Sequence, residues 1–234
     1  MRLVLDQVVA QRGSWSLEAD GCFGDGIHLV SGDVGSGKST LALIMAGLFP
    51  PRQGIVRREQ IQRAMLSMQF PEFSLTGLTV AEECASWGLD AEDILPAAGL
   101  GISTATPPFR LSRGELKRLH LACVLARQYD LLLLDEPFSS LDCSEKERLS
   151  MELSQRPGGI TIIFTHEQAM FPRVDRIWEI VGNRLVDCGA LPGALERWQH
   201  APALVKKLVR AGMIPENLTP DKIREAACRS RIQG

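Results

Sequence analysis

The segment Gly32-Asp33-Val34-Gly35-Ser36-Gly37-Lys38-Ser39-Thr40 constrains the fold of this chain more than any other. It follows a short apolar run, Ile27 to Ser31, and opens into KSTLALIMAGL, which has no breaker before Gly47. A strand, a G-x-x-x-x-G-K-S turn and a helix in that order let successive backbone N–H groups converge on phosphate oxygens. The helix N-terminus adds positive potential at the same place. Lys38 is therefore expected to reach the β- and γ-phosphates of a nucleotide, and the Ser39 hydroxyl to hold Mg²⁺.

The rest of the chain alternates in a way that suits such a turn. Arg2 to Val9, Ser14 to Glu18 and Ile27 to Ser31 read as strands, separated by Gly13, Asp20-Gly21 and Gly24-Asp25-Gly26. The sheet resumes at Ala64 to Gln69, and Thr79 to Gly101 reads as a helical stretch. From Gly114 to Gln128, Leu116, Leu119, Ala122, Cys123 and Ala126 mark one helical face. Leu131 to Leu134 is a continuous apolar run bounded by charge, the pattern of a parallel strand covered on both faces. Ser144 to Gln155 predicts an exposed helix and Ile160 to Thr165 another buried strand. A hairpin about Gly182-Asn183 follows, joining Ile177–Val181 to Arg184–Asp187. Beyond Gly189 the pattern turns helical, with Thr219-Pro220-Asp221 as cap, first-turn proline and first-turn acid. Alternating strands and helices predict an α/β sheet with antiparallel additions.

Composition narrows the classes further. Hydrophobic residues at 45% and charged residues at 23% of 234 match an ordinary globular chain. The apolar runs fall short of the roughly 18 residues a membrane span needs. A net charge of −2 argues against a nucleic-acid binder held by charge. Arg52, Arg57, Arg58 and Arg63 read as a solvated face, and the six scattered cysteines as reduced thiols.

Five further residues carry candidate chemistry. Asp135 and Glu136 end the leucine run, where one acid can bind Mg²⁺ and its neighbour can deprotonate an attacking water. His166, in F-T-H-E at the end of the next strand, can hold that water and Glu136 in place. Gln69 ends the strand from Ala64, where an amide can sense both Mg²⁺ and water. Trp15 precedes the loop, and its two readings, adenine stacking or core packing, stay open.

The ordered set after the loop is Gln69, Leu111-Ser112-Arg113-Gly114-Glu115, Leu131 to Pro137, Ser140-Leu141-Asp142 and His166. It resembles the ATP-binding cassette ATPases over roughly residues 1 to 190. The resemblance implies a P-loop NTPase (RecA-like) α/β core, an N-terminal antiparallel β subdomain, and a compact helical signature subdomain at about 71–125. A short helical tail, 191–234, follows. It makes Gly32 to Thr40 the Walker A loop, with Gly32, Asp33, Val34, Gly35, Ser36, Gly37, Lys38, Ser39 and Thr40 around the ATP phosphates. Leu131 to Glu136 becomes Walker B, with Asp135, Ser39 and Gln69 as Mg²⁺ ligands, and Lys38, Gln69, Glu136 and His166 the catalytic set. The signature residues Ser112 and Gly114 are expected to address the γ-phosphate of a second ATPase subunit, identical or a paralogue. Arg113 and Glu115 stand where the signature has glycine and glutamine.

The segment Gln69-Phe70-Pro71-Glu72-Phe73 and the stretch from Leu75 to Glu83 are similar to energy-coupling-factor ATPases. These power uptake of vitamins and of cobalt or nickel through integral membrane transport subunits, from the cytoplasmic face of the membrane. Two alternatives stand beside this reading: a soluble cassette acting on nucleic acid or translation, and a nucleotide-sensing cassette without turnover. Nucleic acid is not an expected partner, since the chain lacks the insertions such cassettes carry. A small-molecule kinase explains the Walker A loop but not L-S-R-G-E.

Overall fold

The computed structural model of the protein describes residues 1–167 and 169–229. Its strands are β1 (Arg2–Arg12), β2 (Trp15–Phe23), β3 (Gly26–Gly32), β4 (Gln53–Glu59), β5 (Ala64–Ser67), β6 (Leu131–Asp135), β7 (Ile160–Phe164), β8 (Arg176–Val181) and β9 (Arg184–Ala190). The helices are α1 (Lys38–Ala46), α2 (Val80–Ser86), α3 (Ala91–Ala97), α4 (Arg113–Leu125), α5 (Cys143–Ser154), α6 (Ala203–Arg210) and α7 (Pro220–Arg229). Among the described residues the strands form one sheet in the order β4-β1-β2-β9-β8-β3-β7-β6-β5. From β8 to β5 every pairing is parallel. The antiparallel pairs are β8 with β9 and β1 with both β2 and β4.

The leucine run of β6 shows why the sheet is layered. Leu132 and Leu134 enter a cluster with Leu121, Val124, Leu149 and Leu153 of α4 and α5. Leu131 and Leu133 point the other way, onto Leu41, Ile44 and Met45 of α1. Alternate side chains of a strand leave by opposite faces, so four consecutive leucines require helices on both. Helix α4 also carries Leu119 and Cys123 into a third cluster with Val80, Cys84, Ile94 and Leu95 of α2 and α3. The signature helix therefore joins the small helical region to the sheet.

Two local expectations need correction, and one strand is added to them. The stretch from Thr79 to Gly101 is two helices, because Gly88 turns the chain at φ +67° and Asp90 caps a new start by accepting from Glu92 N. The arginine cluster is exposed, as expected, but part of it lies on a further strand, β4, which among the described residues is at the sheet edge and pairs with β1. Its residues are almost all exposed, so no apolar alternation marks it. Arg57 there ion-pairs with Asp6, and Arg58 donates to the Met45 carbonyl at 2.7 Å, placing a cation at the C-terminal end of α1. Helix α5 buries Leu149, Ser150 and Leu153, so its inner face is part of the core rather than exposed.

The hairpin β8–β9 turns at Gly182 and Asn183, both at positive φ (55° and 61°), as a tight two-residue turn requires. Beyond it, Ala194, Leu195, Trp198, Ala201, Val205 and Leu218 pack into the same cluster as β6 and α5. Of the expected tail, residues 230–234 lie outside the described residues. Among the described residues no helix is long and apolar enough to cross a membrane.

Candidate active site

In the order β3-β7-β6-β5, neighbouring parallel strands release their C-terminal ends along one edge of the sheet, the usual place for ligands in α/β folds. Strand β3 runs into the loop from Gly32, β6 ends on Asp135-Glu136, β7 leads to Thr165-His166, and β5 leads to Gln69. A cavity of about 360 Å³ opens there, lined by Trp15, Lys38, Ser39, Gln69, Glu136 and His166 together with Arg12, Val34, Gly35, Gly37 and Thr40. Residues spread from 12 to 166 thus meet in one place.

Gly37 precedes α1 at φ +105°, and a Cβ there would come within 2.3 Å of the Trp15 ring. Both the left-handed backbone and the indole against it exclude a side chain. Trp15 consequently serves as a wall of the loop as well as lining the cavity, and its packing role is real. Lys38 Nζ donates to the carbonyls of Gly32 at 2.8 Å and Asp33 at 3.1 Å, and lies 3.8 Å from Glu136 Oε1. Burial lowers its pKa, opposed by the carboxylates of Glu136, Asp135 and Asp33.

Glu136 adopts φ +48°, which turns it out of the strand and over the cavity. Its Oε2 accepts from Thr165 Oγ1 at 3.0 Å, and its Oε1 faces His166 Nδ1 at 2.7 Å. A general base held from two sides is positioned before any substrate arrives. Asp135 is buried behind it, and its Oδ1 has no hydrogen-bond partner. Burial pushes its carboxyl above the usual range, and a hydrogen bond from Ser39 opposes that shift. An orphaned buried carboxylate oxygen beside a hydroxyl fits a hard divalent cation such as Mg²⁺. Among the described residues no group of three or more His, Cys, Asp or Glu could hold a metal.

The signature lies elsewhere. Ser112 and Gly114 are absent from the cavity lining. Ser112 caps α4 in a reciprocal box: its Oγ accepts from Glu115 N at 3.3 Å, and the Glu115 carboxylate accepts from Ser112 N at 2.8 Å. The hydrogen bonds from Ser112 hold the Glu115 carboxyl below its usual range. Gly114 abuts the Ser140 carbonyl, which a Cβ would approach to 2.9 Å, so its small size also serves contact within the chain. Arg113 is exposed in the first turn. Asp142, the last residue of Ser140-Leu141-Asp142, caps α5 by accepting from Glu145 N at 2.9 Å.

Two contributors escaped the sequence reading. Thr165 was signalled only by its place before His166. Lys117 lies off the apolar face of α4, yet it is 1% exposed and its Nζ donates to the Gln69 carbonyl at 3.1 Å. Burial pulls its pKa down to about 8, against the raising influence of Asp135 and Glu136. Lys117 ties the signature helix to the segment that carries Gln69, close to both acids. Lys117→Met keeps the volume and removes the donor. We expect kcat to fall roughly ten-fold with little change in KM, about the worth of one charged hydrogen bond; steady-state ATPase assays check this, and an unchanged kcat would count against the link.

A parallel sheet whose strand ends bring together a glycine-rich loop, two adjacent acids, a histidine and a glutamine defines a P-loop ATPase of the cassette type. The ABC transporter family model matches residues 23–139, and the chain belongs to that family. It is 29% identical over 230 residues to an energy-coupling factor transporter ATP-binding protein of Thermotoga maritima, with 86% of each chain covered. A second such protein of that organism is 30% identical over 194 residues, covering 73% of this chain and 74% of the other. Among solved structures, one described as a cobalt transport ATP-binding protein superposes with a TM-score of 0.63 at 26% identity, covering 78% of both chains.

Proposed function

We propose that this cassette binds and hydrolyses ATP between its Walker A loop and the signature of a second ATPase subunit, and so drives uptake of a vitamin or metal ion through an integral membrane partner. The observation that carries the two-subunit reading is the separation within one chain. Lys38, Ser39, Gln69, Glu136 and His166 share a cavity from which Ser112 and Gly114 are absent. The cavity is therefore walled from one side, and the start of α4 is left to face another copy, where a helix N-terminus suits an anion.

Within the site, the loop N–H groups and Lys38 hold the phosphates, and Trp15 with Arg12 borders the base. Phosphate competes with Glu136 for Lys38, so nucleotide binding releases the carboxylate to act as base. His166 then keeps Oε1 and Thr165 keeps Oε2 in register, and Glu136 accepts the proton of the attacking water. Ser39, Asp135 and Gln69 are the residues that would hold Mg²⁺, which supplies charge neutralisation on the phosphates.

Uptake as the task draws support from the energy-coupling-factor relatives and the cobalt transport neighbour. Peripheral attachment to the cytoplasmic face is part of the same reading. Phe70 and Phe73 after Gln69 form an edge-to-face pair at 6.1 Å, and Phe73 and Phe109 are 77% and 74% exposed. The exposed pair after Gln69 and Phe109 before the signature lie on the two segments where a membrane subunit would sense the nucleotide. Phe73→Arg with Phe109→Arg is expected to abolish co-purification with membrane subunits and cargo uptake while detergent-free ATPase activity persists. Uptake at the parental rate would overturn this docking surface.

A further inference from the structure

Asp33 presents a difficulty for the loop. Its carboxylate, 84% exposed, borders a second cavity beside the loop rather than the one of about 360 Å³, yet lies close enough to act electrostatically on Lys38. An uncompensated negative charge there opposes phosphate binding.

The chain carries a local answer in the segment that follows β9. His200 Nε2 lies 3.3 Å from Asp33 Oδ1. Its other ring nitrogen, Nδ1, lies 2.6 Å from Oε1 of Glu179, a β8 residue only 1% exposed. The same buried carboxylate accepts from the backbone N–H of His200 at 2.5 Å and of Gln199 at 3.1 Å. Both ring nitrogens thus face carboxylate oxygens, and the doubly protonated imidazole is the form that can donate to both at once. A second bond holds the segment to the root of the loop: Trp198 Nε1 donates to Ser31 Oγ at 2.6 Å, immediately before Gly32. Phe171 closes on the Trp198 ring edge-to-face at 6.0 Å. Asp33, His200, Trp198 and His166 also border a cavity of about 210 Å³ beside the loop.

We infer that His200 is a positioning residue of the nucleotide site: anchored on buried Glu179, it masks the charge of Asp33 and thereby sets nucleotide affinity. This rests on the reading that the loop takes the phosphates of ATP. The segment after β9 then does more than extend the core. It supplies the counter-charge that an acidic phosphate loop needs.

Calorimetric titration of the full chain with Mg·ADP tests this. His200→Ala should weaken binding roughly five-fold, the size of one partly screened charge, and raise the KM for ATP similarly while kcat changes far less. His200→Gln, which keeps a donor for Glu179 but no charge and guards against misfolding, should show the same loss. Adding Asp33→Asn to either variant should restore the affinity to the parental level or better, because the charge to be masked is gone. A merely structural role for His200 predicts no such rescue. Parental affinity in His200→Gln, or a double variant as weak as the single one, overturns the inference. If the parent chain itself does not bind Mg·ADP, or binds it equally with Lys38→Ala, the site reading fails instead.

Discussion

Replacing Glu136 by glutamine is expected to reduce ATP turnover by about 10²- to 10³-fold while ATP stays bound, the loss that follows when a general base can no longer accept a proton. The carboxylate oxygen Oε1 lies 2.7 Å from His166 Nδ1 and 3.8 Å from Lys38 Nζ, and Oε2 accepts from Thr165. Glutamine fills the same space and can keep the Thr165 contact, so the site remains assembled. What it loses is the second acceptor and the charge. If the signature of a second subunit completes the site, ATP should then hold two copies together, visible as a dimer in size-exclusion chromatography with Mg·ATP. A variant that stays monomeric and turns over within a few-fold of the parent would refute both the base assignment and the shared site.

Lys38→Ala should act one step earlier, on binding. Loss of a charged donor to phosphate costs on the order of 3 kcal/mol, about a hundred-fold in affinity. The structure adds a second cost. The Gly32 and Asp33 carbonyls, now satisfied by Nζ at 2.8 and 3.1 Å, lose that donor, and Glu136 loses its cation. The helix itself should survive, because Leu41, Ile44 and Met45 anchor α1 against the sheet. Calorimetry with Mg·ADP, together with an unchanged circular dichroism spectrum, separates lost binding from lost folding. Binding within three-fold of the parent would remove Lys38 from the phosphate site.

Much of this architecture was legible in the chain because it rests on local spacing. A glycine-rich turn between a strand and a helix, four leucines ending on two acids, and Gly182-Asn183 between two strands each act over a few residues. Where local patterns are weak, the elements are hidden from the sequence. Strand β4 shows no alternation because nearly all of its side chains meet solvent, and the break between α2 and α3 depends on one glycine in the left-handed region. In α5 the buried Leu149 and Leu153 are outnumbered by charges on the outer turns, so its sequence looks like that of an exposed helix.

The type of sheet, the phosphate loop, the acids at the end of β6 and the order of the motifs are thus written in the chain. Which side chains serve them emerges from packing in three dimensions. It brought Lys117 under Gln69, Thr165 against Glu136, and the segment after β9 onto the root of the loop, with Trp198 bonded to Ser31 across 167 residues of chain. The difference lies in separation along the chain. Turns and periodicity follow from backbone sterics and side-chain spacing within a few residues. The partners of a buried charge are set by which distant elements the packed core brings together.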